Sequence, residues 1–466
     1  MNQLLRTFKA CLGCLIVMSL LLGLSSPPAF GQYPLLKRII AAQNLKNLEE
    51  SVLNGSYRGE AGILRISPEV GESLGIRALV NQDYHDAMAL LEKAGESLEK
   101  VRTAMATEKT EDFPGQHAEQ IAEHFLCFRA ASQIAEEKLK AYRSKLNPSN
   151  DERLNETTSD RIMEQLLLAS LKKTENNLRD ALGHFYNLCR GMNSNDDHLT
   201  PKNVIFVNHV FNQFVHQSSE DRLRAFNLDR HRDYRGEKTD GPWKSAIDFS
   251  SFHYIEPLEA VLRKSNNKTS TIDPLLFIAL MRRESNFDHL AVSSVGAAGL
   301  TQIMPQTALH LGMQNIFRPA YYREAAKMLE RERKARRQAW AVLNEMNQGN
   351  KVQNAKQARS LAQKALVYGR KKERLYLKYK TELLKMLSDD RLKPALAIEY
   401  GFEYFAQLMK AQKGDVSLAL AAYNAGPGRV KLYNGIPPFE ETVRFRNKVL
   451  EFYREYLEQL KQEGKE

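Results

Sequence analysis

Apolar residues recur at three- and four-residue intervals through most of the chain, the spacing of amphipathic helices. The runs DYHDAMALLEKAGESLEKV and HAEQIAEHFLCFRAASQIAEEKLKAYRSKL carry it clearly. Polar breaks at 147–160, 193–201 and 229–242 divide residues 32–270 into helices or hairpins, predicting an all-α N-terminal domain. A different pattern follows Asp273, which can cap a helix with Pro274 at its first position and an almost wholly apolar body, LLFIALM. Such a helix is expected to be buried on every side. Two long helices then run from about Ala320 to Met346 and from about Ala355 to Leu387, turned at Asn347-Gln348-Gly349-Asn350. They predict a helical hairpin projecting from the lobe that contains it, within a mainly α fold.

The end of the apolar helix presents one acid, Glu284. Apolar neighbours and few waters disfavour the charged form, so its pKa is expected to rise, as suits a general acid near neutral pH. The turn-rich run that follows has Gly296 and Gly299 for close backbone approach, and Ser293, Ser294, Thr301 and Gln302 as polar groups. This combination reads as a lined groove.

The residues Glu284, Ser285, Phe287, Ala291, Ser293, Gly296, Ala297, Gly299, Leu300, Gln302, Met304, Pro305, Thr307 and Ala308 stand in one order. Tyr423, Asn424, Ala425, Gly426, Glu441 and Thr442 follow. Together they resemble the catalytic domain of soluble-type lytic transglycosylases. The resemblance implies a lysozyme-like α-helical catalytic domain over 271–457, interrupted at 320–393 by the basic hairpin, with a polar tail at 458–466. It also implies non-hydrolytic cleavage between N-acetylmuramic acid and N-acetylglucosamine in peptidoglycan, leaving 1,6-anhydro ends, with no metal and no cofactor. Glu284 would be acid and then base. Ser293, Gln302, Met304 and Asn424 would contact the sugars, Tyr423 would orient the acid and Glu441 would touch substrate.

A single prominent acid agrees with that chemistry, because ordinary glycosidases use two carboxylates. Plainer readings stand beside it: turn formation for Ser293, Gln302 and Asp288, and core packing for Met304. The chain also departs from the family pattern. Thr301 replaces a methionine, His289 a proline, Ala397 an asparagine and Phe445 a tyrosine, which puts substrate preference in question.

The chain has 466 residues, 43% of them apolar, and a net charge of +11. That length accommodates two or three domains and excludes wholesale disorder. The charge is concentrated: residues 318–393 hold 21 Lys plus Arg against 8 Asp plus Glu. This stretch could meet an anionic wall, membrane or acidic protein partner, or simply face water. Nucleic acid is not expected as a partner. Arg6 and Lys9 precede an apolar run ending in LIVMSLLLGL and then SSPPAFG, which together read as a signal peptide over 1–31 and predict a periplasmic or envelope location. Cys127 and Cys189 remain after it, free to pair or to stay buried thiols. Tyr84 to Ala94 has a faint tetratricopeptide-like pattern without a repeat at that family's period. A water-using muramidase on the same fold and a non-catalytic wall-binding or assembly module are the alternative functions.

Overall fold

The computed structural model describes residues 33–107, 116–192, 198–228, 242–248, 251–265 and 272–463. The expected signal peptide over 1–31 and the tripeptide His231-Arg232-Asp233 lie outside them. Mainly α is the observed class: among the described residues the helices are joined by loops and isolated β-bridges. In chain order the first are α1 (Pro34–Leu53), α2 (Pro68–Ser73), α3 (Gln82–Ala106), α4 (Gln116–Ser144), α5 (Glu156–Lys173), α6 (Leu178–Cys189), α7 (Val204–Gln217) and α8 (Glu220–Leu223). Then come α9 (Ile255–Ser265), α10 (Pro274–Ser285), α11 (Pro305–Leu311), α12 (Ala320–Asn344) and α13 (Lys351–Met386). The last are α14 (Pro394–Ala411), α15 (Val416–Ala425), α16 (Pro427–Leu432) and α17 (Glu440–Glu463).

These helices form two compact units that do not follow chain order. The first takes the described residues of Met1–Lys93, Ala131–Arg230 and Asn424–Arg444; the second takes those of Ala94–Ala130, His231–Tyr423 and Phe445–Glu466. Among the described residues no helix is long and apolar enough to cross a membrane, and no group of three or more His, Cys, Asp or Glu could hold a metal ion. Cys127 and Cys189 are both free thiols.

The core of the first unit gathers the apolar faces of α1, α5, α6 and α7, including Ile40, Met163, Leu182 and Phe214. Asn155 and Asn177 cap α5 and α6 by accepting from Thr158 N and Asp180 N. The 424–444 segment is fastened to α7 by Asn208, whose side-chain amide donates to Ile436 O at 2.8 Å and accepts from Ile436 N at 3.1 Å. Truncating Asn208 to Ala strands a buried backbone donor and acceptor. It is expected to cost about 2–4 kcal/mol, read as a lower urea midpoint in equilibrium unfolding.

In the second unit α10 is buried from Pro274 to Met281. Asp273 caps it by accepting from Leu275 N at 2.9 Å and also accepts from Tyr453 Oη of α17 at 2.5 Å. Helices α12 and α13 form the expected hairpin, closed by small residues at three- and four-residue steps, among them Ala325, Ala335 and Ala339 facing Ala358, Ala365 and Gly369. One carboxylate interrupts that seam. Glu332 lies beside Gly369, where an added Cβ would come within 3.5 Å of it, and is held by Lys372 at 2.8 Å and Arg336 at 2.9 Å. Burial pushes its pKa up, but the hydrogen bonds from Lys372 and Arg336 outweigh burial and leave it below the usual value. The stability it lends is therefore present above the ordinary carboxylate pKa and lost as pH falls through the lowered one. Glu332→Gln is expected to cost about 1–2 kcal/mol at pH 7. Thermal unfolding across pH checks this, since the gap from the parent should close in acid.

The far end of the hairpin is not a free arm. Ala339, Leu343, Met346, Ala355 and Ala358 pack with Val101 and Met105 of α3 and with Ile121, Ala122 and Phe125 of α4 in one apolar cluster. Arg129 donates to Met346 O at 2.5 Å across the same contact.

The two units repeat one design, which the sequence reading did not detect. Gly59, Ala61, Gly62, Ile66, Pro68 and Gly75 recur in the same spacing as Gly296, Ala298, Gly299, Ile303, Pro305 and Gly312. Both loops close with an antiparallel bridge, Ala61 to Ile66 and Ala298 to Ile303. Arg65 and Gln302, each one residue before the bridge closes, have φ of 50° and 46°. The hairpins correspond too: Tyr84 packs on Tyr142 at 5.1 Å, and Tyr322 on Tyr379 at 4.7 Å. A helical hairpin after the loop is thus common to both halves.

Candidate active site

Helix α10 stops just after Glu284 because Asn286 and Phe287 turn left-handed, with φ of 50° and 64°. Such conformations strain non-glycine residues and persist where surrounding packing holds them. The packing here is specific. Arg282 pairs with Glu455 at 2.8 Å and lies over the Phe452 ring at 3.9 Å, while Arg283 stands 5.8 Å from the Phe445 ring centre. Both arginines are thereby drawn toward α17, and Glu284 is left half-buried at the helix end. Ser285 fastens that end to the glycine loop by donating to Leu300 O at 2.9 Å.

Tyr423 belongs to the same unit. Its hydroxyl donates to Thr301 O at 2.7 Å, and its ring stacks on Phe445 at 6.4 Å and packs on Tyr404 at 5.2 Å. The residue keeps some surface, yet its hydroxyl end is desolvated. Burial first, and then the charge of Glu284, hold its pKa well above the usual value, so it stays a neutral donor. The influence of Glu284 on this phenol brings the acid and Tyr423 into one electrostatic neighbourhood. Phe445, standing where the family has a tyrosine, keeps the stack without a hydroxyl.

Ser293 and Gln302 build the loop. Ser293 Oγ accepts from Ala297 N at 2.9 Å and Val295 N at 3.3 Å. The Gln302 amide nitrogen donates to Ala291 O and Gly299 O, both at 2.9 Å. Met304 precedes α11 and is 36% exposed, so it is not core. Asp288 accepts from Leu290 N at 2.8 Å in an exposed turn. Asn424 and Glu441 fall in the first unit, where Asn424 Oδ1 accepts from Thr442 Oγ1 at 2.7 Å and Glu441 lies exposed in the first turn of α17.

The sequence reading missed the group that holds the loop. Arg391 is fully buried and pairs with Asp389 at 2.8 Å. Its remaining donors go to Gly296 O at 2.9 Å, Ile303 O at 3.1 Å and Tyr379 Oη at 2.7 Å. One guanidinium thus joins both ends of the loop that carries Gly299 and Gln302. Gly299 itself is confined, since a Cβ there would sit 1.7 Å from Arg391 O. The available signal was the Asp389-Asp390-Arg391 cluster directly before a helix, counted above among the hairpin charges. Thr301 and Ala397, two of the noted departures, meet each other: Thr301 Oγ1 donates to Ala397 O at 3.0 Å. Gly401 leaves room for Thr301, whose atoms would lie 2.5 Å from an added Cβ.

Residues 262–366 and 372–442 match the family model of the Transglycosylase SLT domain. Among solved structures, an inactive mutant of the lytic transglycosylase Slt from Pseudomonas aeruginosa is 14% identical with a TM-score of 0.26, covering 99% of this chain and 80% of that one. The 70-kDa soluble lytic transglycosylase of Escherichia coli is 16% identical with a TM-score of 0.25, covering 90% and 71%. A complex of the 70-kDa soluble lytic transglycosylase with bulgecin A is 17% identical with a TM-score of 0.27, covering 91% and 72%. At such scores the assignment rests on the family model and on the residues described above. Over these residues the chain carries a Transglycosylase SLT domain, with Glu284 and Tyr423 inside the matched residues.

Proposed function

We propose that this domain cleaves the bond between N-acetylmuramic acid and N-acetylglucosamine in peptidoglycan, with Glu284 as acid and then base. The supporting observation is the half-buried Glu284 at the end of α10, acting on the neutral phenol of Tyr423. Glu284 gives its proton to the glycosidic oxygen as the bond to the anomeric carbon breaks. The muramic 6-hydroxyl then attacks that carbon, and the Glu284 carboxylate takes the hydroxyl proton. A 1,6-anhydro ring forms, no water is consumed, and the acid is regenerated. Tyr423 fixes the glycine-rich loop through Thr301 O. Ser293 and Gln302 hold the glycine-rich loop by bonding its backbone, while Met304, Asn424 and Glu441 are proposed sugar contacts. Such a substrate places the protein in the periplasm or cell envelope.

A muramidase on the same fold would recruit a second carboxylate, and Asp288, the nearest in sequence, serves a turn. Mass analysis of digested peptidoglycan separates the two. Products one water lighter than reducing ends are expected; reducing ends alone would establish hydrolysis.

A further inference from the structure

The repeat allows residues that hold the scaffold to be told from those that do chemistry. Arg153 repeats the bonds of Arg391: it pairs with Asp151 at 2.7 Å and donates to Gly59 O at 2.9 Å, Ile66 O at 3.0 Å and Tyr142 Oη at 2.6 Å. The pair Tyr186-Asn187 answers Tyr423-Asn424. Tyr186 packs on Phe206 at 5.2 Å as Tyr423 does on Phe445, and Asn187 Oδ1 accepts from Asn203 as Asn424 does from Thr442.

The place of the acid differs. In the second unit Ser285 donates to Leu300 O; in the first, the corresponding Ile63 O accepts from Asn44 at 3.0 Å. The neighbouring residue is Gln43, a buried amide bonded to Asn47 at 2.8 Å. From residue 43 to 47 the helix offers no carboxylate. Around it the first unit is also more positive. Arg65 stands for Gln302, and Lys202, just before Asn203, stands for Glu441.

A further arginine adds to this change. The Arg190 guanidinium carbon lies 5.0 Å from the Tyr186 ring centre, and Arg190 is the largest charged influence on Arg65, helping burial to lower its pKa. Nη1 and Nη2 of Arg190 and Nε of Arg65 are shielded from water without a hydrogen-bond partner, and Arg65 reaches Glu60 only at 3.6 Å. Buried donors left unmatched call for an acceptor. Two neighbouring guanidinium groups, one of them only 3.6 Å from Glu60, suit a carboxylate acceptor.

We propose that the first unit is a non-cleaving binding site for a carboxylate-bearing glycan, engaged through Arg65 and Arg190 on a scaffold that has lost its acid. The identity of that glycan as peptidoglycan rests on the function proposed above. The unit would hold an uncut strand by its peptide or lactyl carboxylates while Glu284 works elsewhere on the same material.

The test uses the full chain with Arg65→Gln and Arg190→Gln together. Binding to isolated sacculi is measured by co-sedimentation in a Glu284→Gln background, so that strands are not consumed. Affinity is expected to fall about tenfold or more. Sacculi with amidated carboxyl groups should bind the parent no better than the double variant, and Arg65→Lys with Arg190→Lys should recover part of the loss. With Glu284 intact, the double variant should turn over soluble glycan fragments within about twofold of the parent. Equal sacculus binding by parent and variant overturns the proposal, as does binding indifferent to carboxyl amidation. So does binding that depends on the two arginines with phosphatidylglycerol vesicles but not with sacculi. Loss of soluble turnover together with binding marks the arginines as structural and also overturns it. A parent that binds sacculi through the pair yet never cuts them refutes the transglycosylase reading instead, leaving the arginine site in place.

Discussion

Glu284→Gln is expected to lower peptidoglycan cleavage by about two to four orders of magnitude while leaving sacculus binding within about twofold. The substitution keeps the shape of the side chain and removes only its ability to give and take a proton. The end of α10 is anchored by the two arginines drawn to α17 and by Ser285 on Leu300 O, none of which the substitution alters. The variant should therefore fold with an unchanged unfolding midpoint. Rates of soluble product release, measured beside a binding assay, distinguish lost chemistry from lost structure. Cleavage at the parental rate would remove Glu284 from the site.

Arg391→Met should have the largest effect on the fold, about 3–5 kcal/mol, because it leaves Asp389 as an uncompensated buried charge and strands Gly296 O and Ile303 O. Arg153→Met should cost a similar amount, since its partners are the same in kind and distance. The two differ in what else they disturb. Arg391 ties the loop that carries Gln302 and is bonded to Ser285, the neighbour of Glu284, so its variant should lose kcat even below its unfolding transition. The Arg153 variant should keep kcat there. Parallel denaturation and kinetics measure both, and equal loss of kcat in the two would show that the Arg391 tie has no special bearing on the site.

Much of the candidate site could be read from residues. Asp273, Pro274 and the apolar run announced a buried helix, and the glycine-rich run announced a tight loop, because caps and left-handed turns leave local signals. The hairpin was legible from its periodicity, and its turn falls where Asn347 to Asn350 predicted it. Its surroundings were not, since charged faces hid an alanine-lined seam and a tip packed on helices more than two hundred residues earlier. The Arg391 tie escaped for a related reason: its partners are carbonyl oxygens and a phenol brought together only by the fold. The repeat was written in the chain as a few glycines, one proline and a Tyr-Asn pair at matched positions. Between them the side chains have diverged so far that only the backbone and two buried arginines keep the correspondence visible.

The exchange of segments between the two compact units bears on how the chain acquires its structure. Residues 424–444 complete the first unit through the Asn208 clasp, and residues 94–130 belong to the second. No cut in the middle of the chain leaves either half whole. A nascent chain would have to reach nearly its full length before the first unit could close, and closure would wait on contacts of very long sequence separation, which form slowly. A late commitment to the native state also defers the assembly of Glu284 with Tyr423 until nearly the whole chain is present.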